Sequence, residues 1–123
     1  MVRRLDFSGV CHAEGPRLFV GATNVRTGRI RIFAGDDITP EALLASACLP
    51  TVFQAVDIGP DAYWDGGYSG NPSIAPLIRE CSSRDTILVQ INPIERPGTP
   101  RTAREIHNRL NEIAFNSTLI KEL

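Results

Sequence analysis

The chain has few of the residues that build metal centres or disulfide frameworks. It contains three cysteines, Cys11, Cys48 and Cys81, and two histidines, His12 and His107. Three widely spaced cysteines exclude a disulfide framework and indicate reduced, partly buried thiols in a cytoplasmic protein. Because neither histidine lies at ligand spacing from a Cys, Asp or Glu, the sequence predicts no metal site.

The chain also lacks a charge excess and a long hydrophobic run. Its net charge is -1, so it lacks the excess of positive charge that is typical of proteins that bind nucleic acid. Residues 1–10 contain no apolar run of signal-peptide length. No stretch approaches the roughly 18 apolar residues that cross a bilayer. Arg101, Arg104 and Arg109 leave peripheral contact with anionic lipid open, although such residues more often form a solvated helix face.

The first half of the chain alternates between predicted strands and a helix. Residues 1–16 show no periodicity and are predicted to be irregular, ahead of one domain over 17–123. The apolar run 18–24 and the alternating run 29–33 predict two strands of a hairpin around Thr27-Gly28. Thr39, followed by Pro and Glu, predicts the start of a helix over about 40–47, which is rich in small residues.

The second half has a weaker pattern until its last segment. Asn71-Pro72 predicts the start of a short helix that ends near Cys81. The apolar run 86–91 predicts a buried, parallel strand, and 92–100 a loop. A spacing of three to four residues predicts an amphipathic helix over about 100–123, with Thr99, or Thr102 paired with Glu105, at its start. Its apolar positions are Ala103, Ile106, Leu110, Ile113 and Ile120.

Strands that alternate with helices favour an α/β fold. Such folds place their chemistry in loops beyond the carboxyl ends of strands. Asp65-Gly66-Gly67 follows a short aromatic strand end and precedes a helix, which is that kind of position. Two glycines permit a close approach by another backbone or a substrate. An Asp followed by Gly is also a common turn, so the motif alone leaves both a catalytic and a structural interpretation open.

An ordered set of motifs resembles the patatin-like phospholipase family. The set begins with Ala22-Thr23-Asn24 and Thr27-Gly28. It continues with A-S-A-C-L-P-T-V-F over 45–53, then Y-W-D-G-G over 63–67, then Asn71-Pro72. The family typically has a small-residue helix reading A-S-x-x-x-P-x-x-F, followed by a short strand, D-G-G or D-G-A, and N-P. The resemblance covers roughly residues 17–92.

The resemblance implies a lipid acyl hydrolase with a serine-aspartate dyad, which needs no metal or other cofactor. Asp65 corresponds to the proton acceptor, and Gly66 and Gly67 shape its loop. The family's serine sits in a G-x-S-x-G elbow, and a glycine-rich loop supplies the oxyanion hole. A weak nucleophile needs a base within hydrogen-bond reach, which explains the pairing. The implied fold is the C-terminal half of a patatin-like α/β/α sheet domain.

The chain departs from the family pattern because it contains neither G-x-S-x-G nor a glycine-rich oxyanion loop. Ser69, in Gly67-Tyr68-Ser69-Gly70-Asn71, is the nearest match, but it lacks the final glycine and a strand-to-helix elbow of its own. We therefore expect the nucleophile to come from a missing N-terminal half or a second chain, and the 123 residues to be inactive alone.

Two alternatives to a catalytic half follow from the same sequence. An exposed sheet edge could make the chain a non-catalytic domain that binds lipid or protein. The chain could also be a truncated remnant without function, which predicts poor solubility and no cooperative unfolding.

Overall fold

The computed structural model describes residues 15–122, which form two compact units, one ending at Gly70 and the other beginning at Asn71. The prediction of an irregular segment over residues 1–16 lies almost entirely outside the described residues. The strands are β1 (Phe19–Asn24), β2 (Ile30–Ala34), β3 (Val56–Ile58) and β4 (Asp61–Asp65). The α-helices are α1 (Pro40–Ser46), α2 (Ala75–Glu80) and α3 (Ala103–Glu122).

The first unit is built on a four-stranded sheet in the order β2-β1-β4-β3. Every neighbouring pair is antiparallel. Because β1 and β4 are the two central strands, the end of β4 lies beside β1, with Ala22 opposite Asp65. The fold is mixed α/β, as expected for part of a patatin-like domain.

The predicted hairpin is confirmed, and Asn24 explains how it turns. The side-chain oxygen of Asn24 accepts hydrogen bonds from the backbone N–H groups of Arg26 and Thr27, both over 3.0 Å. Gly28 then adopts a φ of 68°, which glycine reaches without steric cost. Its N–H donates to the backbone oxygen of Asn24 over 2.8 Å. An Asn side chain that bonds its own turn in this way fixes the register of the two strands.

Helix α1 packs on one face of the sheet and closes the core. Its predicted cap is confirmed, since the side chain of Thr39 accepts a hydrogen bond from the N–H of Ala42 over 3.2 Å. Ala42 and Ala45 are fully buried, so the small residues let the helix lie close to the strands. The buried cluster comprises Val20, Ala22, Phe33, Ile38, Ala42, Ala45 and Tyr63.

Strand β3 was not predicted from the sequence, because Asp57, Gly59 and Pro60 are typical of a turn over 57–60. The turn is shorter than that, because Ile58 pairs with Asp61 and leaves a two-residue connection. Gly59 occupies its first position with a φ of 63°, a conformation that suits a tight hairpin. Asp57 therefore belongs to the strand.

The predicted strand over 86–91 is wrong. This segment has no regular secondary structure, and Ile87, Val89 and Ile91 are 91%, 81% and 89% exposed. A strand needs a neighbour for its backbone hydrogen bonds, and the segment pairs with no strand within residues 15–122. The short helix α2 and the loop over 92–100 agree with the sequence, although α2 begins at Ala75 rather than at Asn71-Pro72.

The terminal helix is confirmed, but the side that it buries is not the predicted one. Its capping box forms as expected: the N–H of Glu105 donates to the Thr102 hydroxyl, and the N–H of Thr102 donates to the Glu105 carboxylate. Glu112 and Asn116 are 8% and 3% exposed, and Leu119 is buried beside them. The apolar positions remain open, with exposures of 43% to 60% at Ile106, Leu110, Ile113 and Ile120.

Hydrogen bonds from α3 to the preceding loop explain this inversion. The Glu112 carboxylate accepts from Arg96 over 3.0 Å and from Arg109 over 3.2 Å. The amide of Asn116 donates to the backbone oxygen of Pro93 over 3.0 Å. Polar groups can be buried when they are hydrogen-bonded in this way, so the second unit is organised by a polar contact rather than by the isoleucines.

Candidate active site

Asp65 is the last residue of β4 and lies where the central strands of the first unit meet α1. Its backbone N–H donates to the backbone oxygen of Cys48, just beyond the end of α1, over 2.9 Å. Its carbonyl oxygen accepts from the Thr23 hydroxyl on β1 over 2.8 Å. Both backbone polar groups of Asp65 are thus hydrogen-bonded to neighbouring segments, which fixes the backbone position from which its side chain extends.

The carboxylate of Asp65 is held by the glycine pair that follows it. Asp65 caps a short 3-10 turn over Gly66–Tyr68, and its Oδ1 accepts a hydrogen bond from the N–H of Gly67 over 2.8 Å. Partial burial raises the pKa of Asp65, and the Gly67 hydrogen bond opposes that rise. A half-buried carboxylate with a raised pKa is a stronger base than an exposed one.

Gly66 occupies a position that has no room for a side chain. A Cβ built on it would lie against the carbonyl group of Gly21 on β1, 2.6 Å from the carbonyl carbon. The sequence predicted that a glycine here permits the close approach of another backbone, and the structure identifies that backbone as β1. The contact brings the loop after β4 down onto the central strand.

Thr23 and Ser69 join the same cluster, although the motif that contains Thr23 marks a strand and gives it no role at the site. Their hydroxyl oxygens are 2.7 Å apart, and Thr23 is 8% exposed. Thr23 donates its proton to the carbonyl oxygen of Asp65, so the hydrogen bond between the hydroxyls uses the proton of Ser69. The apolar run 18–24 places Thr23 on a strand, but its partners lie 42 and 46 residues further along the chain.

Two other titratable groups lie close enough to Asp65 for its charge to affect them. Burial raises the pKa of the Cys48 thiol, and the charge of Asp65 adds to that rise. The same two causes raise the pKa of Tyr68. A thiol with a raised pKa carries little thiolate at neutral pH. The Cys48 thiol donates to the backbone oxygen of Gln54 over 3.0 Å.

Tyr63 packs in the core, and the candidates Arg109 and His107 belong to the second unit. Tyr63 is 2% exposed and packs edge-on against Phe33, with ring centroids 5.6 Å apart. Arg109 pairs with Glu112 in the second unit, and His107 is exposed on α3. Among residues 15–122, no three His, Cys, Asp or Glu side chains are arranged to hold a metal ion.

The family model of patatin-like phospholipases matches residues 5–78, which is more than half of the chain. The chain belongs to the patatin-like phospholipase family. The match includes β1, α1, β4 and the D-G-G loop, and it ends before the segment 86–91. No curated protein matches the chain, and no solved structure matches it.

Membership of the patatin-like family places the chain among lipid acyl hydrolases and indicates lipid substrates. Within the described part of the chain, no helix has the length and apolar character needed to span a bilayer.

Proposed function

We propose that the chain supplies the aspartate half of a patatin-like lipid acyl hydrolase with a serine-aspartate dyad. In this proposal, Asp65 accepts the proton of a serine that lies outside these 123 residues, either in an N-terminal half or in a second chain. Gly66 and Gly67 hold the aspartate, and no metal or other cofactor takes part. The 123 residues alone do not turn over ester.

The hydrogen-bond pattern at Asp65 is the observation that carries this proposal. Its N–H, its carbonyl oxygen and its Oδ1 are each bound by a different residue, Cys48, Thr23 and Gly67. Within residues 15–122, no hydrogen bond to Oδ2 is formed. A carboxylate held on one oxygen, with the other available, is the geometry that a general base needs.

Ser69 is the alternative nucleophile within the chain, and its hydrogen bonding argues against that role. An attacking serine hydroxyl must donate its proton to the base. The proton of Ser69 is directed to Thr23, which has already donated its own to the backbone of Asp65. No hydrogen bond joins Ser69 to the Asp65 carboxylate in the described part of the chain.

A short p-nitrophenyl ester and a fluorophosphonate probe together test the proposal. The purified 123-residue chain is expected to show no hydrolysis above buffer and no labelled serine. The tagged chain is then recovered from its source cells under native conditions and treated with the probe. We expect the probe to label a serine outside these 123 residues. In Asp65→Asn, we expect the segment that carries this serine to be recovered but not labelled.

The matched control is Asp57→Asn, an exposed strand residue of the same unit, which should keep the labelling. Labelling of Ser69 in the isolated chain, lost in Ser69→Ala, would show that the dyad is complete within the chain and would overturn the two-part proposal. Labelling that survives Asp65→Asn would remove Asp65 from the mechanism.

A second candidate function, as a non-catalytic domain that binds lipid or protein, is favoured by the exposed apolar side chains of the second unit. Ile87, Val89 and Ile91 are more than four-fifths exposed, and α3 presents Leu110 and Ile120 to solvent. A binding domain of this kind would sediment with anionic vesicles or form a complex in solution, without ester turnover. A monomeric chain that binds no vesicles would exclude it.

A further inference from the structure

We propose that Thr23 and Ser69 are positioning residues that form a hydroxyl relay and set the orientation of Asp65. The inference rests on the proposed role of Asp65 as proton acceptor. Thr23 lies on the central strand β1 and Ser69 follows the D-G-G turn. Together they connect the strand to both ends of the loop that carries the aspartate.

Counting protons fixes the direction of the relay. A carbonyl oxygen can only accept, so the bond between Thr23 Oγ1 and the Asp65 oxygen uses the single hydroxyl proton of Thr23. The 2.7 Å contact between the two hydroxyls therefore uses the proton of Ser69. The relay runs from Ser69 to Thr23 to the carbonyl of Asp65, and consecutive hydrogen bonds of this kind strengthen one another.

The relay acts on the peptide that joins Asp65 to Gly66. The Asp65 carbonyl and the Gly66 N–H belong to that peptide plane, and Gly66 is pressed against Gly21. The Thr23 hydrogen bond thus fixes the rotation of the plane at the start of the turn. Gly66 joins that plane to the next peptide, whose Gly67 N–H holds Oδ1 of the carboxylate.

Burial makes these bonds costly to remove. Thr23 is 8% exposed, so water has little access to its hydroxyl and to the hydrogen bond that it makes with the carbonyl. A buried acceptor that loses its donor and is not rehydrated favours a rotated peptide. Loss of the Thr23 hydroxyl should therefore loosen the Gly67 contact with the carboxylate, whereas loss of Ser69 removes a support of Thr23 and should have a smaller effect.

Three substitutions test the relay in the 123-residue chain. Thr23→Val removes the hydroxyl at nearly constant volume, Thr23→Ser restores it, and Ser69→Ala removes the outer member. The first readout is hydrogen exchange of the Gly67 amide, with the Phe33 amide in the core as an internal reference. The second readout is the pH titration of the Gly67 amide proton shift, which follows ionisation of Asp65 because the amide donates to its carboxylate.

Thr23→Val is expected to accelerate exchange at Gly67 about tenfold relative to Phe33, the effect of losing one buried hydrogen bond. It should also reduce the amplitude of the Gly67 titration by at least about half. Thr23→Ser should retain both readouts, and Ser69→Ala should lie between the two Thr23 variants. Tyr68 and Cys48 are the other titratable groups near Asp65. Each titration is therefore repeated in Asp65→Asn, where any pH-dependent change of the Gly67 shift that remains comes from Tyr68 or Cys48.

Equal acceleration of Gly67 and Phe33, with an unchanged titration, would overturn the relay, because Thr23 would then act only on global stability. The relay would also be overturned if Thr23→Ser behaved like Thr23→Val. If Thr23→Val does not fold, Ser69→Ala decides the question, since the relay requires its Gly67 amide to exchange faster than the reference. None of these readouts needs ester turnover, so they remain informative if the proposed hydrolase activity is absent.

Discussion

Gly66 lies against the backbone of Gly21, and neither residue can move without displacing a hydrogen-bonded strand. The carbonyl carbon of Gly21 would be 2.6 Å from a Cβ on Gly66. Both contacting groups are backbone, so no side chain can rotate away to make room.

Gly66→Ala is therefore expected to destabilise the first unit by about 3 kcal/mol, the upper part of the range for overpacked sites. Gly28→Ala is the matched control, because a Cβ there meets nothing within 4 Å and its cost of about 1 kcal/mol comes from the positive φ alone. Urea unfolding of both variants measures the difference. Equal losses would show that the close approach to Gly21 is not what requires glycine.

Asp65→Asn is expected to stabilise the chain at neutral pH. Burial raises the pKa of Asp65, so the folded state keeps the proton at a pH where the unfolded chain has lost it. Between the ordinary aspartate pKa of about 3.9 and the raised folded value, the free energy of unfolding falls as pH rises. This loss of stability is complete at pH values above the pKa of the folded state, and absent at pH values below the pKa of the unfolded chain.

The gain from Asp65→Asn should therefore be largest near pH 7 and vanish by about pH 3, well below the ordinary aspartate pKa. Unfolding measured by circular dichroism at a series of pH values checks this, with the exposed Asp57→Asn as reference. A gain that is independent of pH would mean that the charge of Asp65 is not what costs stability.

Phe33→Ala should cost about 3 to 4 kcal/mol, because a ring that is 1% exposed leaves a cavity between the sheet and α1. The change also removes the edge-on contact with Tyr63 and the Arg31 guanidinium 4.5 Å above the ring. Leu44→Ala, at a site that is 58% exposed on α1, should cost less than about 1 kcal/mol. A comparable loss in both variants would place the core elsewhere.

Glu112→Gln should release the loop before α3. Hydrogen bonds from Arg96, with a smaller contribution from Arg109, lower the pKa of Glu112. A carboxyl group whose pKa is lowered by folding stabilises the folded state at pH values above its ordinary pKa. This stability is lost as the pH falls through the pKa of the folded state. Cleavage within residues 92–100 by a protease of broad specificity should become faster in Glu112→Gln at neutral pH, and cleavage of the unchanged chain there by pepsin should become faster at low pH. Glu95→Gln, on an exposed neighbour, should leave cleavage unchanged.

The first unit could be predicted well from the sequence because its signals are local. Thr39 with Pro40 and Glu41 specifies the start of α1, and Thr27-Gly28 marks the hairpin turn, to which the structure adds the side chain of Asn24. Strand β3 was missed because it has three residues and carries an aspartate, which resembles a turn. Its pairing with β4 provides the evidence that the local pattern lacks.

The second unit was harder because its elements depend on partners that the sequence does not name. The run 86–91 has the composition of a buried strand, but composition cannot supply a neighbouring strand. The period of α3 predicted its length and its cap correctly. It predicted the wrong buried side, since the hydrogen bonds of Glu112 and Asn116 to the preceding loop decide the orientation.

The candidate site was predictable only where a motif marks it. Asp65 and its two glycines form a recognisable motif, and the structure connects all three. Thr23 belongs to the Ala22-Thr23-Asn24 motif, but that motif marks a strand and not the site, and the contact of Thr23 with Asp65 spans 42 residues. Contacts of this kind appear only when the register of β1 against β4 is known.

The position of Trp64, immediately before Asp65, gives this protein a built-in optical probe. It is the one tryptophan in the chain, and its indole N–H is buried without a hydrogen-bond acceptor among the described residues. All tryptophan fluorescence therefore originates beside the D-G-G loop. In the proposed two-part enzyme, arrival of the serine-bearing segment at Asp65 would change the emission of Trp64, so its assembly could be followed in real time without any label.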